Sequence, residues 1–347
     1  MAKLPVNEIT LEGKIVRADY RKGMSKNNKP FLSANFTLDV NGNQIKCESF
    51  SMQFKGDGVT ESTNYKSLMT IFEEANALHK TIKEANQDKA DEISDDTIVE
   101  NIEDCTAIKC SNYNGFKYCR FSENAYMSTE GLKTNIRIEF AYCNRVDEDK
   151  REYKPQADWE ICGIVKTQPV AIPSIDEDEK EVMQFVVEVP TYTEAYGDRE
   201  ASVVLNELTI VSHDESVWGY LEDNFTVGTP VYLNGCIVRK INRVEIEQSN
   251  DDVKGFGRVI EHQPQFRTKI IDHLEVLGGY TIEDEIEEME EKEFNAELWQ
   301  KAKVEKDLKL TEMQNGNNKF EKPKGFGKQN KVVKEQPKDK DDNLPFF

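Results

Sequence analysis

The sequence predicts a mainly β protein made of two small barrels with helical insertions, and two observations support this. Between residues 7 and 54, apolar and polar side chains alternate over three segments, and a helical period replaces the alternation at 64–86. The same order of segments returns after residue 157. A repeated order of this kind is unlikely to arise by chance, so each copy strengthens the prediction for the other.

The first copy begins with a long strand from Asn7 to Tyr20 that has Gly13 near its middle. A glycine there favours a bend or bulge of the kind that curls a sheet. The segments that follow are a strand at 31–40, an Asn-Gly turn at 41–42, a strand at 44–54, the helix at 64–86, and strands at 105–110, 115–127 and 132–146. This order is typical of the five-stranded oligonucleotide-binding (OB) barrel, so we expect an OB-like domain at 1–150.

The second copy begins at Asp158–Lys166, which matches Glu8–Arg17 in its central glycine, its Ile-Val pair and the base after that pair. Further strands are expected at 182–192, 201–211, 230–239 and 243–248, with a short helix at about 213–224. We therefore predict a second OB-like domain at 157–250.

The rest of the chain does not follow the repeat. We expect residues 251–310 to supply a strand, within 251–282, that docks on the second barrel, and then an acidic, solvated helix from 282 to 310. Residues 311–347 are rich in Asn, Gly, Lys, Pro and Gln and cannot bury a core, so they are predicted to form a disordered arm.

Composition limits the function classes. The 347 residues carry 65 acids against 45 bases, a net charge of −20, which argues against a polybasic DNA-binding protein but leaves room for a locally basic groove. There is no apolar leader or membrane-length apolar run, and the seven cysteines lack a framework spacing. These features favour a cytoplasmic protein with reduced thiols and no membrane partner.

Residues for catalysis are sparse. The four histidines do not stand at metal-ligand or triad spacing, and no glycine-rich phosphate loop occurs. Four cysteines, Cys105, Cys110, Cys119 and Cys143, lack the paired two-residue gap of zinc knuckles. We therefore predict no enzyme activity, no cofactor and no metal.

The seven residues Asp341–Phe347 place two acids before Asn-Leu-Pro-Phe-Phe, at the end of a polar segment. Exposed phenylalanines lower solubility unless they fill a pocket, so the segment is typical of a ligand for a partner protein. Folding back onto its own domain is the alternative.

This segment resembles the acidic C-terminal tip of bacterial and phage single-stranded DNA-binding proteins. In that family the tip recruits replication and repair enzymes, and the resemblance implies partner binding by Asp341, Asp342, Leu344, Pro345, Phe346 and Phe347. Asn343 departs from the acid that is common at its position, and Phe347 adds a residue beyond the usual final phenylalanine.

Single-strand binding requires aromatic faces for bases and Lys or Arg for phosphates along one groove. The first domain offers such residues at Tyr20, Arg21, Lys22, Lys26, Lys29, Phe31, Phe50, Phe54, Lys55, Phe116, Tyr118 and Arg120. We assign Phe36 and Phe121 to the core instead. In the second domain the groove could be extended by Tyr192, Tyr196, Arg199, Arg239, Lys240 and Arg243.

The function that we predict is the coating and protection of single-stranded DNA during replication, recombination and repair, with partner enzymes recruited through the tip. Two barrels joined to such a tip are more similar to a bacteriophage replication protein than to a host protein, which places the chain in the host cytoplasm. Oligomeric state stays open. The alternatives are a virion or assembly protein without nucleic-acid binding and, third, an accessory protein of a nuclease or ligase.

Overall fold

The computed structural model describes residues 4–25, 27–55, 58–85, 106–111, 119–128, 131–140, 142–174, 181–195, 200–246, 265–282 and 292–314. Within these ranges the protein is mainly β. Its elements in chain order are β1 (Asn7–Met24), β2 (Pro30–Val40), β3 (Asn43–Met52), α1 (Thr63–Ala85), β4 (Ala107–Ser111), β5 (Cys119–Ser128), β6 (Gly131–Phe140), β7 (Tyr142–Arg145), β8 (Gln156–Pro173), β9 (Glu181–Thr193), β10 (Ser202–Ser212), α2 (Glu215–Asn224), β11 (Pro230–Ile246), β12 (Gln265–Thr281) and α3 (Ala296–Gln314).

The first barrel closes through five sides. Strand β1 pairs with β2, β2 with β3, and β3 runs parallel to β6. The β6 and β7 strands form one side, and β5 and β4 form the next, because β6 pairs with β5 and β7 with β4. The pairing of β4 with β1 completes the circle. Helix α1 lies between the third and fourth sides in the chain, as the OB order requires.

The second barrel has the same connectivity in the order β8, β9, β10, β12, β11 and back to β8. The predicted fold class, two OB-like barrels in a mainly β protein, is thereby confirmed. The fifth strand is β12, which runs parallel to β10 and antiparallel to β11. The segment expected to dock outside the barrel is therefore one of its walls, and residues 243–246 are the end of β11 rather than a separate strand.

Buried side chains fill both barrels. Phe36 and Phe121, which the sequence analysis assigned to the core, are each only 1% exposed. In the first part of α1, apolar residues that recur at threes and fours meet the barrel, with Leu68 and Phe72 fully buried. Gly163 lies where a Cβ would come within 2.4 Å of the Glu188 carbonyl oxygen, so a glycine permits the close approach of β8 to β9.

The two barrels share one sheet, because residues 7–12 of β1 pair antiparallel with residues 156–161 of β8. The buried Asn7 strengthens this junction. Its side chain donates to the Phe121 carbonyl at 2.9 Å and accepts from the Phe121 amide at 2.9 Å. It also donates to Thr191 Oγ1 at 3.2 Å, so a single side chain joins β1 and β5 of one barrel to β9 of the other.

Helix α3 differs from the expected solvated helix. It begins at Ala296 because Asn295 caps it, accepting from the amides of Glu297 and Leu298 at 3.1 Å. Residues 292–294 form a turn, and 283–291 lie outside the described residues. Trp299 and Ala302 are buried against the second barrel, so the helix is docked. The predicted disordered arm and its tip also lie outside the described residues.

No helix among the residues that the structure describes is both long enough and apolar enough to span a bilayer.

Candidate nucleic-acid interface

The outer face of β1, β2 and β3 carries aromatic and basic side chains in register. Residues opposite each other on paired strands point to the same face of a sheet. One row across the three strands is Arg21, Ser33 and Phe50, and another is Arg17, Thr37 and Lys46. We call this surface the first outer face.

Two phenylalanines form the aromatic end of the first outer face. The rings of Phe31 and Phe50 lie 5.1 Å apart between centroids at an interplanar angle of 33°, and Phe50 is 56% exposed. Gly23 makes room for this pair, because a Cβ there would come within 2.6 Å of the Phe31 ring. A half-buried Phe31 ring beside an exposed Phe50 ring on a sheet surface has the composition of a platform on which bases stack.

At its other end, the first outer face opens into a groove of about 820 Å³ between the two barrels. The first barrel lines this groove with Arg17, Lys46 and Arg137, and the second barrel lines it with Arg239 and His273. The three arginines have carboxylate partners, in the pairs Arg17–Asp19 at 3.0 Å, Arg137–Glu48 at 3.1 Å and Arg239–Asp272 at 3.5 Å.

The ion pairs of the groove are partly exposed, and such pairs contribute little to stability. An arginine in such a pair can exchange its carboxylate for a phosphate at small cost. Lys46 forms no ion pair among the described residues and is exposed. The groove can therefore present positive charge to a phosphate chain although the whole protein is acidic.

The structure places some predicted residues together and separates others. Arg21, Phe31 and Phe50 share the first outer face. Tyr20 and Lys22 lie on the opposite side of β1, where the Tyr20 ring packs on Phe72 at 4.7 Å and the Lys22 amine lies 5.9 Å from the Tyr20 centroid.

The remaining predicted residues lie nearby or outside the described part. Lys29 and Lys55 are exposed in the connections next to β2 and β3, and Phe54 forms an isolated bridge with Glu61. Arg120 lies on β5 and pairs with Glu139 at 3.4 Å. Lys26, Phe116, Tyr118 and the tip residues 341–347 are outside the described residues.

Arg17, Lys46 and Arg137 are absent from the predicted site residues, because only strand pairing brings these bases together. A signal for two of them exists in the sequence. Arg17 and Arg21 are four residues apart on one strand, as are Lys46 and Phe50, and an even spacing puts both members on one face. The contribution of Arg137 depends on the parallel pairing of β3 with β6, which no local pattern reveals.

The equivalent face of the second barrel, the outer side of β9 and β10, is covered by α3. Trp299 and Ala302 pack on Val203 and Leu205, and all four residues are less than 9% exposed. Tyr192, a candidate for extending the groove, packs at the edge of this cluster. The second barrel therefore does not present its β9–β10 face to a ligand, whereas Arg239 lines the groove.

Lysines of α3 match the acids beneath it. Lys303 pairs with Glu188 at 3.1 Å, and Lys306 pairs with Glu207 at 2.7 Å and with Glu123 of the first barrel at 2.6 Å. Burial disfavours the charged form of Lys306, but its hydrogen bonds to both carboxylates outweigh burial and raise its pKa. In Glu207 the hydrogen bonds from Lys166 and Lys306 likewise outweigh burial and lower the pKa.

No protein-family model matches this sequence, and no curated protein matches it. The comparison with solved structures finds the wild-type single-stranded DNA-binding protein from Thermus aquaticus, at 9% identity and a TM-score of 0.39, covering 82% of this chain and 95% of that chain. A deletion mutant of the same protein gives 9% identity and a TM-score of 0.40, covering 82% and 98%.

The single-stranded DNA-binding protein of Plasmodium falciparum in complex with single-stranded DNA matches at 15% identity and a TM-score of 0.24. This match covers 38% of this chain and 96% of that chain. These structures are all single-stranded DNA-binding proteins. At such low TM-scores they do not decide the function, and the fold assignment rests on the strand order and register given above.

Proposed function

We propose that this protein binds single-stranded DNA without sequence preference, along the first outer face and the groove that continues it. The observation that carries the proposal is the contrast between two equivalent faces. The second barrel's face is covered by the chain's own helix, with Trp299 buried. The first outer face leaves Phe50 56% exposed beside a row of bases.

The two ends of this surface suit different parts of a strand. Bases stack on the Phe31 and Phe50 rings, and each stacked base contributes about 1–3 kcal/mol. Phosphates meet Arg17, Lys46 and Arg137 in the groove. Thr37, which lies in the row of Lys46, is six positions after Phe31 on β2. Six steps along a strand span about 20 Å, a length that suits several nucleotides.

Binding through this surface depends strongly on salt. Each phosphate neutralised by Lys or Arg releases condensed counterions, so affinity falls as the salt concentration rises. The net charge of −20 repels DNA at long range. At low salt this repulsion is poorly screened, so it disfavours non-specific DNA contacts outside the basic surface. Binding that survives this repulsion must come from a localised site.

In the cell, this activity amounts to coating and protecting exposed strands during DNA replication, recombination and repair, in a bacteriophage context, without catalysis by the protein itself. Asp341–Phe347 would deliver partner enzymes to the coated strand. This part of the proposal is supported by the sequence of the segment, in which acids precede Leu-Pro-Phe-Phe.

The test is a fluorescence anisotropy titration of labelled oligo-dT at two salt concentrations. Phe50→Ala removes one stacking surface, and the loss of one stacked base predicts about a tenfold weaker Kd. Tyr220→Ala is the matched control, because Tyr220 is also an exposed aromatic residue, at 46%, but lies on α2 of the second barrel. Truncation after Lys340 should keep or improve DNA affinity if the tip serves partner proteins.

Absence of binding by the wild-type protein at low salt would refute the proposal and favour an assembly role. Equal losses from Phe50→Ala and Tyr220→Ala would refute the assignment to the first outer face while leaving DNA binding itself intact. A Kd that does not change with salt would contradict phosphate contacts in the groove.

A further inference from the structure

Three side chains of the second barrel, one of which also lines the groove, lie close together. His213, His273 and Glu275 offer one ligand atom each, and these atoms lie within 4.8 Å of one another. The ring of His213 hydrogen-bonds through Nδ1 to Glu275 Oε2, and His273 Nε2 lies 3.3 Å from the same oxygen. The centroids of the two imidazole rings are 4.8 Å apart.

The barrel topology creates this cluster. The parallel pairing of β10 with β12 sets Val211 opposite Glu275. His213 lies two residues beyond Val211, and its ring therefore contacts the Glu275 carboxylate. His273 and Glu275 are two residues apart on β12 and therefore point to one face. Sequence spacing cannot reveal the cluster, because His213 and His273 are far apart in the chain.

The donor atoms fit a borderline transition metal. Imidazole nitrogen and carboxylate oxygen both bind Zn²⁺ at about 2.0–2.2 Å, so two ligands of one ion stand roughly 3.3 Å apart. The separation of His273 Nε2 from Glu275 Oε2 has this value, whereas His213 Nδ1 lies closer to the same oxygen, in a hydrogen bond that a bound ion would replace. The backbone amide of His213 donates to the other carboxylate oxygen, Oε1, at 2.9 Å, which holds Oε2 toward the two rings.

We propose that His213, His273 and Glu275 form a binding site for one divalent transition-metal ion of the Zn²⁺ class. Three protein ligands leave a coordination position for water, and the three side chains remain partly exposed, at 27%, 17% and 13%. The ion would join the end of β10 and the start of α2 to β12. It would lie at the edge of the groove, because His273 also lines that cavity.

The test uses the full chain without DNA, so that its outcome is independent of the proposed function. Protein stripped with EDTA is titrated with Zn²⁺ and followed by thermal melting, and with Co²⁺ followed by visible absorption. A ligand that binds only the folded state at a hundred times its Kd raises the Tm by about 4–5 °C for a protein of this size. Co²⁺ bound to nitrogen and oxygen ligands should give d–d bands without the charge-transfer band that a thiolate produces.

Two ligand variants and one matched control locate the site. His273→Ala and Glu275→Gln should each lose the Zn²⁺-induced rise in Tm and the Co²⁺ bands. His79→Ala, which removes a histidine of α1, should keep both. Melting of each variant in EDTA reports whether its barrel is folded, and Glu275→Gln preserves shape and hydrogen-bonding capacity should His273→Ala fail to fold.

Three results would overturn the proposal. The first is a wild-type protein that shows neither a Tm shift nor Co²⁺ bands. The second is retention of both signals in His273→Ala and Glu275→Gln. The third is a thiolate charge-transfer band, which would place the metal on cysteines instead.

Discussion

The replacement of Lys306 by methionine tests how α3 holds the two barrels together. The ammonium group of Lys306 lies between Glu123 on β5 and Glu207 on β10, and it also donates to the Leu205 carbonyl at 3.3 Å. Lys306→Met keeps most of the aliphatic stem but removes the charge. Glu123 then keeps no cation partner among the described residues, whereas Glu207 retains Lys166 at 2.7 Å.

The expected cost follows from burial. Removing one partner of a buried ion pair costs about 3–5 kcal/mol, because the remaining charge is left unpaired. Lys306 and Glu123 are 17% and 9% exposed, whereas Glu207 is 28% exposed, so solvent softens the loss. We expect a loss of about 3 kcal/mol near neutral pH, which lowers the Tm by about 4–6 °C for a protein of this size.

The loss should depend on pH in a defined direction. In the wild-type protein the pKa of Glu207 is lowered. Its contribution to stability is therefore complete above the ordinary glutamate pKa and disappears as the pH falls through the pKa of Glu207 in the folded protein. In Lys306→Met, one of the two neighbouring carboxylates has its pKa raised by the other. Protonation then relieves the repulsion, and the gap between variant and wild type narrows at about pH 5.

Urea denaturation at the two pH values measures both effects, and Lys309→Met provides the control, because Lys309 is exposed on the same helix. Adding Glu123→Gln to Lys306→Met should recover part of the stability, since the carboxylate that lost its cation is gone. The reasoning would be refuted if Lys306→Met were no more destabilised than Lys309→Met, or if its deficit grew on acidification.

Two further predictions concern the barrels. Asn7→Ala should lower the free energy of unfolding in urea by about 3 kcal/mol, because the amide and carbonyl of Phe121 lose their buried partner. Its control is Asn124→Ala, which removes an exposed side-chain hydrogen bond and should change that free energy by less than about 0.5 kcal/mol. Gly235→Ala should lower the Tm severely, since a Cβ would lie 1.9 Å from the Glu275 carbonyl oxygen, whereas Gly219→Ala in α2 meets open space and should raise stability by about 0.5–1 kcal/mol. Equal losses of stability in Asn7→Ala and Asn124→Ala would contradict the role of Asn7 at the junction, and equal effects of Gly235→Ala and Gly219→Ala would contradict the close strand contact at Gly235.

The sequence predicts the barrels well because strand alternation and the helical period of α1 are local properties. Tyr65, Leu68 and Phe72 recur at helical spacing, and all three are buried. β12 was placed outside the barrel because its position depends on a parallel pair with β10, and such a pair leaves no short-range pattern. For the same reason Arg137 was missing from the predicted surface.

The docking of α3 was also beyond local reasoning. Its apolar residues are sparse, which by itself indicates a solvated helix. Trp299 and Ala302 nevertheless find Val203 and Leu205, and Lys306 finds two carboxylates on different barrels. Neither contact can be foreseen without knowing which β10 residues face outward.

The different roles of the two equivalent faces follow from a few outward-facing residues. On β9 and β10 these positions hold apolar side chains, Val203 and Leu205, beside the acids Glu188 and Glu207. Such a surface repels phosphates and would expose an apolar patch if it were bare, and a helix carrying Trp299 with two lysines complements it. On β1 to β3 the corresponding surface offers aromatic rings and bases, which no described segment covers. Because α3 covers the β9–β10 face, we assign the proposed single-stranded DNA site to the first outer face.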